Sequence, residues 1–371
     1  MARAWADVSL DAVRANVSTL RELVAPAEVC AVVKADGYGH GALPVARAAL
    51  EAGATWLAVA QVAEAPPLRE GGITAPILLL SQPRVDQIDQ AIEHRLRVSV
   101  YSAELIHHLG AAARIAGRQV AVHLKLDTGM HRVGARPDDA VGLAASVAED
   151  PDLYLESIWT HCAVADETAN PFTALQLDRY EQALLEVAAA GIEVPMRHAA
   201  NSAGAIAHPR ARYDLVRCGI ATYGIPPSPE LDGAVPLEQA VRLVTEVSFV
   251  KEVAAGEGIS YGLRHHVERD TVIATLPIGY ADGVFRRLGL EHQEVLIGGR
   301  RYPMVGVVTM DQVMIDVGPR SQVRVGDEAV LLGAQGAACI TPDEWAARLG
   351  TISYEVVCAL GARVERRYWS S

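Results

Sequence analysis

Short apolar runs return at near-regular intervals between residues 29 and 217, and each is separated from the next by a stretch long enough for a helix. They fall at 29–33, 56–60, 76–80, 96–100, 119–125, 153–160, 195–198 and 214–217. The first three are apolar almost throughout, which suits strands covered on both faces. Eight of them, each followed or separated by a helix-length segment, predict a parallel (β/α)8 barrel of the TIM type, an α/β fold. Ahead of the first run, residues 5–10 predict a short strand, and Val13, Val17, Leu20 and Val24 recur at helical spacing.

The rhythm stops at residues 224–236, where Pro and Gly accumulate and a linker is expected. Beyond it the pattern turns to β. Segments 244–250, 271–276, 295–297 turning through Gly298 and Gly299 to Tyr302, 304–307, 312–317 and 329–332 read as antiparallel strands, with one helix at 343–349. The predicted organisation is a barrel over 1–236 and a β-rich C-terminal domain over 237–371, with residues 1–10 a candidate strand for the second domain. A chain of 371 residues exceeds one ordinary core, which agrees with two domains.

Charge narrows the function class. With 33 basic against 45 acidic residues the net charge is -12, which argues against a nucleic-acid or anionic-membrane surface and for a small-molecule substrate. Five cysteines without CxxC spacing suggest neither a disulfide framework nor a zinc knuckle, so a reducing cytoplasm is expected. The first residues mix acids with apolar side chains and lack a continuous hydrophobic segment, and no later stretch is apolar for long enough to span a bilayer; a soluble, unprocessed protein is expected.

Candidate chemistry sits at the ends of the predicted strands. Lys34 closes the first, just before a turn carrying Gly37, Gly39 and Gly41. A lysine at the end of a buried strand is pushed towards its neutral, nucleophilic form, and a neutral amine attacks aldehydes. Glycines that admit backbone amides, followed by a helix from about Ala42, suggest an anion cradle. Together these features suggest pyridoxal phosphate held by a Schiff base and by its phosphate. A lysine that merely snorkels from a strand end is the plain alternative. Further along, Lys125 and Arg132 lie at and after the fifth strand, His161 after the sixth, His198, Asn201 and Ser202 after the seventh, and Arg217, Gly219 and Ile220 after the eighth. Barrel enzymes carry their sites at these strand ends, and commonly hold phosphate on the loops after strands seven and eight.

These residues carry a resemblance. AVVKADGYGHG at 31–41 resembles the pyridoxal-phosphate signature of alanine racemases. LKLDTGMHRVG at 124–134, WTHCAVADE at 159–167, HAANSAG at 198–204, VRCGIATYG at 216–224, ISYG at 259–262, LPIGYADG at 276–283, TMDQ at 309–312 and TISYEV at 351–356 resemble that family's other blocks in order, over nearly the whole chain. The resemblance implies a homodimeric, cytoplasmic isomerase that interconverts L- and D-alanine and supplies D-alanine for peptidoglycan.

It also implies roles. Lys34 would carry the cofactor and act as acid or base on one face of the α-carbon, and Tyr261, contributed by the other subunit, would act on the opposite face. A phenol with an ordinary pKa of about 10 is a poor base near neutrality, so a positive neighbour must stabilise its phenolate; His161 and Arg217 are the implied partners, with His198 supporting the arginine. Arg217 facing the pyridine nitrogen cannot accept a proton, which favours a racemase over a decarboxylase. Tyr38, Ser202, the Gly219 and Ile220 amides and Tyr354 would hold the phosphate. Arg132 and the Met310 amide would meet the substrate carboxylate, and Tyr280 and Asp311 would line the entrance. Lys125 would be carbamylated and orient Arg132 by a charge-assisted pair; unmodified, it would repel it.

His131 departs from the family, where a small residue, usually glycine, is expected; this puts the approach to Arg132 in doubt. Thr309 stands where cysteine is frequent. His107, His108, His265 and His266 are expected on the surface. Three other readings stay open: a racemase of broader specificity acting on serine or larger side chains, a metal-dependent barrel hydrolase, and a non-catalytic pyridoxal-phosphate carrier.

Overall fold

The computed structural model describes residues 4–370. The chain divides into two compact units: residues 12–37 with 42–238, and the described residues up to Asp11, Tyr38–Gly41 and those from Gln239 onward.

The first unit is the predicted barrel. After a strand β1 (Ala4–Ser9) and helix α1 (Leu10–Val24) come β2 (Glu28–Val32), β3 (Trp56–Val59), β4 (Ile77–Leu79), β5 (Leu96–Val100), β6 (Val120–Lys125), β7 (Leu153–Trp159), β8 (Met196–His198) and β9 (Leu215–Cys218). The parallel order β8-β7-β6-β5-β4-β3-β2-β9 uses all eight barrel strands. Its two end strands are drawn together where Asp214 donates its N–H to the Arg197 carbonyl at 3.1 Å and Arg217 to the Ala200 carbonyl at 3.0 Å. Helix α1 buries Val13, Val17, Leu20 and Val24, the positions its period predicts. The barrel interior is unusual in its polarity: Ser99, His123, Ser157, His198 and Arg217 are all buried on its strands.

The second unit is a ten-stranded sheet. Its further strands are β10 (Val241–Glu246), β11 (Phe249–Val253), β12 (Gly258–Ile259), β13 (His265–His266), β14 (Thr271–Leu276), β15 (Glu294–Ile297), β16 (Arg300–Val305), β17 (Val313–Gly318), β18 (Glu328–Gln335), β19 (Ala338–Ile340) and β20 (Glu365–Trp369). The order is β11-β14-β17-β16-β15-β18-β10-β1-β20, with β19 on β18 and a separate β12-β13 ladder. Only the β1-β20 pairing is parallel; β1 lies between β10 and β20. The expected strand 244–250 is two strands. β10 pairs with β18 and β11 with β14, and the chain changes partner at Val247 and Ser248, whose N–H groups go to Asp327 and Thr275. Conversely, the expected break near Pro303 is absent, because that proline lies inside β16 opposite Glu294. Among the described residues no helix is long and apolar enough to cross a membrane.

Candidate active site

Lys34 follows β2 and opens a left-handed turn. Ala35, Asp36 and Gly37 have φ of 52, 51 and 60°, and Tyr38 has 52°. Each non-glycine residue held there costs roughly 1–2 kcal/mol, so the turn needs an external hold. Glu64 supplies it: its carboxylate accepts the Ala35 N–H at 2.6 Å and those of Ala60 and Gln61 at 2.7 and 3.0 Å. The Gly37 N–H returns to the Val33 carbonyl at 2.9 Å.

The anion cradle expected of this turn is not what its glycines make. Asp36 already accepts the N–H of Ala42 at 2.9 Å, occupying the first amide of the helix Ala42–Glu51. A Cβ on Gly39 would lie 2.4 Å from the Val357 carbonyl oxygen, and one on Gly41 1.9 Å from the Tyr368 hydroxyl. Close packing of the chain demands these glycines.

Arg217 stands at the centre of the barrel interior. One guanidinium nitrogen donates to His198 Nδ1 at 2.7 Å; the other reaches the Thr160 and Ala199 carbonyls, both at 2.9 Å, and His161 Nδ1 at 3.1 Å. Trp159 forms one wall, with Arg217 Cζ 4.6 Å and Lys125 Nζ 4.3 Å from its ring centre and His198 stacked on it at 5.3 Å. Behind His198 the hydrogen bonds continue to His123 at 3.1 Å, from His123 to Glu156 at 2.9 Å, and an ion pair of 3.0 Å joins Glu156 to Arg97.

Positive charge is concentrated here. Burial, then the charges of Arg217, Arg132 and Lys34, bring Lys125 down to about 7, with Asp127 the counterweight. Burial and the same group of cations, Lys125 among them, hold His161 well below the ordinary imidazole range. His198 is likewise held low by burial and by Arg217, and His123 by burial against the opposing pull of Glu156. Arg217 itself is lowered by burial to about 10 and stays charged at neutrality. The electrostatics therefore gather Lys34, Lys125, Arg132, His161 and Arg217 round one anion-seeking space.

Lysine usage sharpens the point. Of the 33 basic residues only Lys34, Lys125 and Lys251 are lysine. An arginine would serve any purely structural cation, but only a lysine can be depressed into a neutral nucleophile. Two of three lysines lie in this cluster.

Ser202 is buried behind Asn201, which caps the helix Ser202–Ala207 by accepting the Gly204 N–H at 2.9 Å. The Ser202 hydroxyl accepts the Gly219 N–H at 2.9 Å, so serine and loop are locked together, with Ile220 next in the chain. His131, exposed, has φ 55° and gives its N–H to Asp127 at 3.0 Å. That backbone explains why glycine was the expected residue there.

The second unit holds the remaining candidates. Tyr38 and Tyr354 face one another with ring centres 6.4 Å apart. Tyr261 is 73% exposed, on a turn where Ser260, Gly262 and Leu263 all have positive φ. Ser260 anchors it by donating to the Val307 carbonyl at 2.7 Å. Tyr280 and Met310 are brought together because the Tyr280 and Ala281 N–H groups bond the Thr309 and Met310 carbonyls at 3.0 and 3.1 Å. A Cβ on Gly279 would strike both carbonyl oxygens at 2.3 Å. Arg363 fixes Asp311 at 2.7 Å and Asp282 at 3.0 Å. Of the four histidines expected on the surface, His265 is half-buried against the ring of His292.

The alanine racemase N-terminal domain matches residues 8–227 and the alanine racemase C-terminal domain residues 240–368. The chain belongs to the alanine racemase family. It is an isomerase, and it is 50% identical over 98% of its length to the alanine racemase of Symbiobacterium thermophilum, 96% of which is covered. It is 46% identical to that of Desulforamulus reducens, with 98% of each chain covered. Among solved structures, the alanine racemase from D-cycloserine-producing Streptomyces lavendulae superposes with a TM-score of 0.94 at 40% identity, covering 100% of this chain and 98% of that one. A histidine racemase from Leuconostoc mesenteroides shares the fold at a TM-score of 0.91 and 28% identity, covering 100% and 98%.

His123, Glu156 and Arg97 escaped the sequence reading. The signal was there: His123 stands two residues before Lys125 on β6, and alternate residues share a face. An interior histidine on the same face as a candidate lysine could have been singled out on that spacing alone.

Proposed function

We propose that this chain interconverts L- and D-alanine with pyridoxal phosphate, as a homodimer whose subunits complete each other's sites, and that the D-alanine formed supplies peptidoglycan. The observation that carries the reading is the gathering of Lys34, Lys125, Arg132 and Arg217 round a neutral His161, where burial and then the neighbouring cations bring Lys125 to about 7. Such a field suits an anionic cofactor and a substrate carboxylate. Lys34 would bind the cofactor, Arg217 would face its ring nitrogen, and Ser202, Gly219, Ile220, Tyr38 and Tyr354 would hold its phosphate. When bound, pyridoxal phosphate supplies the electron sink for the pair left on the α-carbon as its proton departs.

The protein's own groups then divide the proton transfer. The Lys34 amine takes or returns the α-proton on one face, and the Tyr261 hydroxyl, reaching in from the partner subunit, does so on the other. A phenol that lies 73% exposed in its own chain suits a group built to work in a neighbour's site. Arg217 can only donate, so beside the ring nitrogen it would offer a hydrogen bond and could not take a proton from it. Because Arg217 occupies His161 Nδ1, the neutral imidazole carries its proton on Nε2, ready to be donated to a phenolate. Arg132 and the Met310 amide would hold the substrate carboxylate, with Tyr280 and Asp311 at the entrance.

Lys125, with a pKa brought to about 7, suits carbamylation: its neutral amine attacks carbon dioxide, a C–N bond forms, a proton leaves, and a carbamate anion replaces a cation beside Arg132.

The test is borohydride reduction of the protein as purified, followed by peptide mapping. With three lysines in the chain the outcome is discrete: cofactor mass on Lys34 supports the reading, and attachment to Lys125, Lys251 or nothing overturns it. Broader specificity is the second reading, favoured by the histidine racemase that shares this fold. Racemisation rates on alanine, serine and lysine separate the two.

A further inference from the structure

A guanidinium can only donate, so His198 Nδ1, 2.7 Å from Arg217, must present a lone pair. The proton of a neutral His198 is then on Nε2, which lies 3.1 Å from His123 Nδ1. That nitrogen must accept in turn, leaving His123 to carry its proton on Nε2, 2.9 Å from the Glu156 carboxylate. Arg97 Nε lies 3.0 Å from the same Glu156 oxygen and keeps the carboxylate ionised as an acceptor. The chain of bonds therefore runs one way, from the guanidinium on β9 through β8 and β6 to a carboxylate on β7. His123 and His198 are fully buried, and no alternative tautomer satisfies every link: a proton on either Nδ1 sets two donors against each other.

We propose that Glu156 and His123 are positioning residues for Arg217. The carboxylate at the far end completes the direction that the guanidinium imposes: it accepts from His123 Nε2, steadies both imidazoles, and so holds His198 against Arg217. Only an acceptor can end such a chain. The consequence for catalysis rests on the proposed function; the direction of the hydrogen bonds does not. Arg217's other bonds go to two backbone carbonyls and His161, so its link to His198 is the one through which Glu156 acts.

The test is nitrogen-15 NMR of the histidine-labelled holoenzyme, with the two rings assigned from signals lost in His123→Gln and His198→Gln. In the wild type both rings are expected to carry a proton on Nε2 alone; a proton on Nδ1 of either ring overturns the proposal, whether or not any variant folds. Glu156→Leu removes the acceptor and is expected to move the His198 signals and to lower kcat by ~10-fold or more, with KM for alanine changed less than ~2-fold. Glu156→Gln keeps a carbonyl acceptor and is expected to restore the His198 signals and most of the rate. If Glu156 merely fills space, the leucine variant keeps the wild-type His198 signals and the wild-type kcat, and the proposal fails. A wild type that racemises nothing would refute the proposed function while leaving the tautomer readout intact.

Discussion

The barrel interior round Arg217 and the turn bearing Tyr261 are opposites in physical character. Arg217 is 3% exposed and bonded to four protein groups, whereas Tyr261 is 73% exposed and stands on a turn of left-handed residues. One region is organised before anything binds. The other presents an aromatic hydroxyl to its exterior. The proton-transfer pair proposed above would draw its electrostatics from the barrel and its second face from an exposed phenol, and substitutions in the two should fail in different ways.

Stability offers the largest separation. Arg217→Met leaves the Thr160 and Ala199 carbonyls without their donor, at roughly 1–3 kcal/mol each, and denaturant midpoints should register a loss of roughly 2–4 kcal/mol. Tyr261→Phe should shift stability by no more than about 0.5 kcal/mol while abolishing activity. Equal destabilisation by both would erase the contrast.

Acid should act on the barrel. His123, His161 and His198 are each held below the ordinary imidazole value of 6.5, so between that value and their lower folded values the unfolded chain binds more protons than the folded one. Their contribution is complete above about pH 6.5 and is lost as pH falls, by up to ~1.4 kcal/mol per pH unit for each ring. Urea midpoints measured across that range should fall on the acid side, and His161→Gln should flatten the slope.

The smallest effect concerns Lys125. Its amine becomes free as pH rises through about 7, so exposure to carbon-13 bicarbonate should give a carbamate signal that grows across that window and is missing in Lys125→Arg. A signal surviving in that variant would place the modification elsewhere.

The barrel was legible because eight apolar runs are separated by helix-length segments, and all eight strands lie within or close to those runs. The C-terminal sheet was less so. Continuous apolarity across 244–250 conceals a change of partner at Val247 and Ser248, and a strand that tolerates Pro303 looks broken from its sequence. β20, with Glu365, Arg366 and Arg367, has no apolar rhythm; its pairing with β1 is set by a contact across almost the whole chain. In the site, strand ends were easy to read, since Lys34, Lys125, His161 and Arg217 each follow or finish an apolar run. The interior positions His123 and Glu156 were not, because strand-end logic looks past the middle of a strand.

Exchange of the α-proton with deuterated solvent tests the two-region account most directly. With wild type, deuterium should enter whichever alanine enantiomer is supplied and its product. With Tyr261→Phe, exchange should persist from the enantiomer that presents its proton to Lys34 and fall on the order of 10²-fold or more for the other. Equal exchange from both enantiomers in that variant would contradict the claim that Lys34 and Tyr261 serve opposite faces.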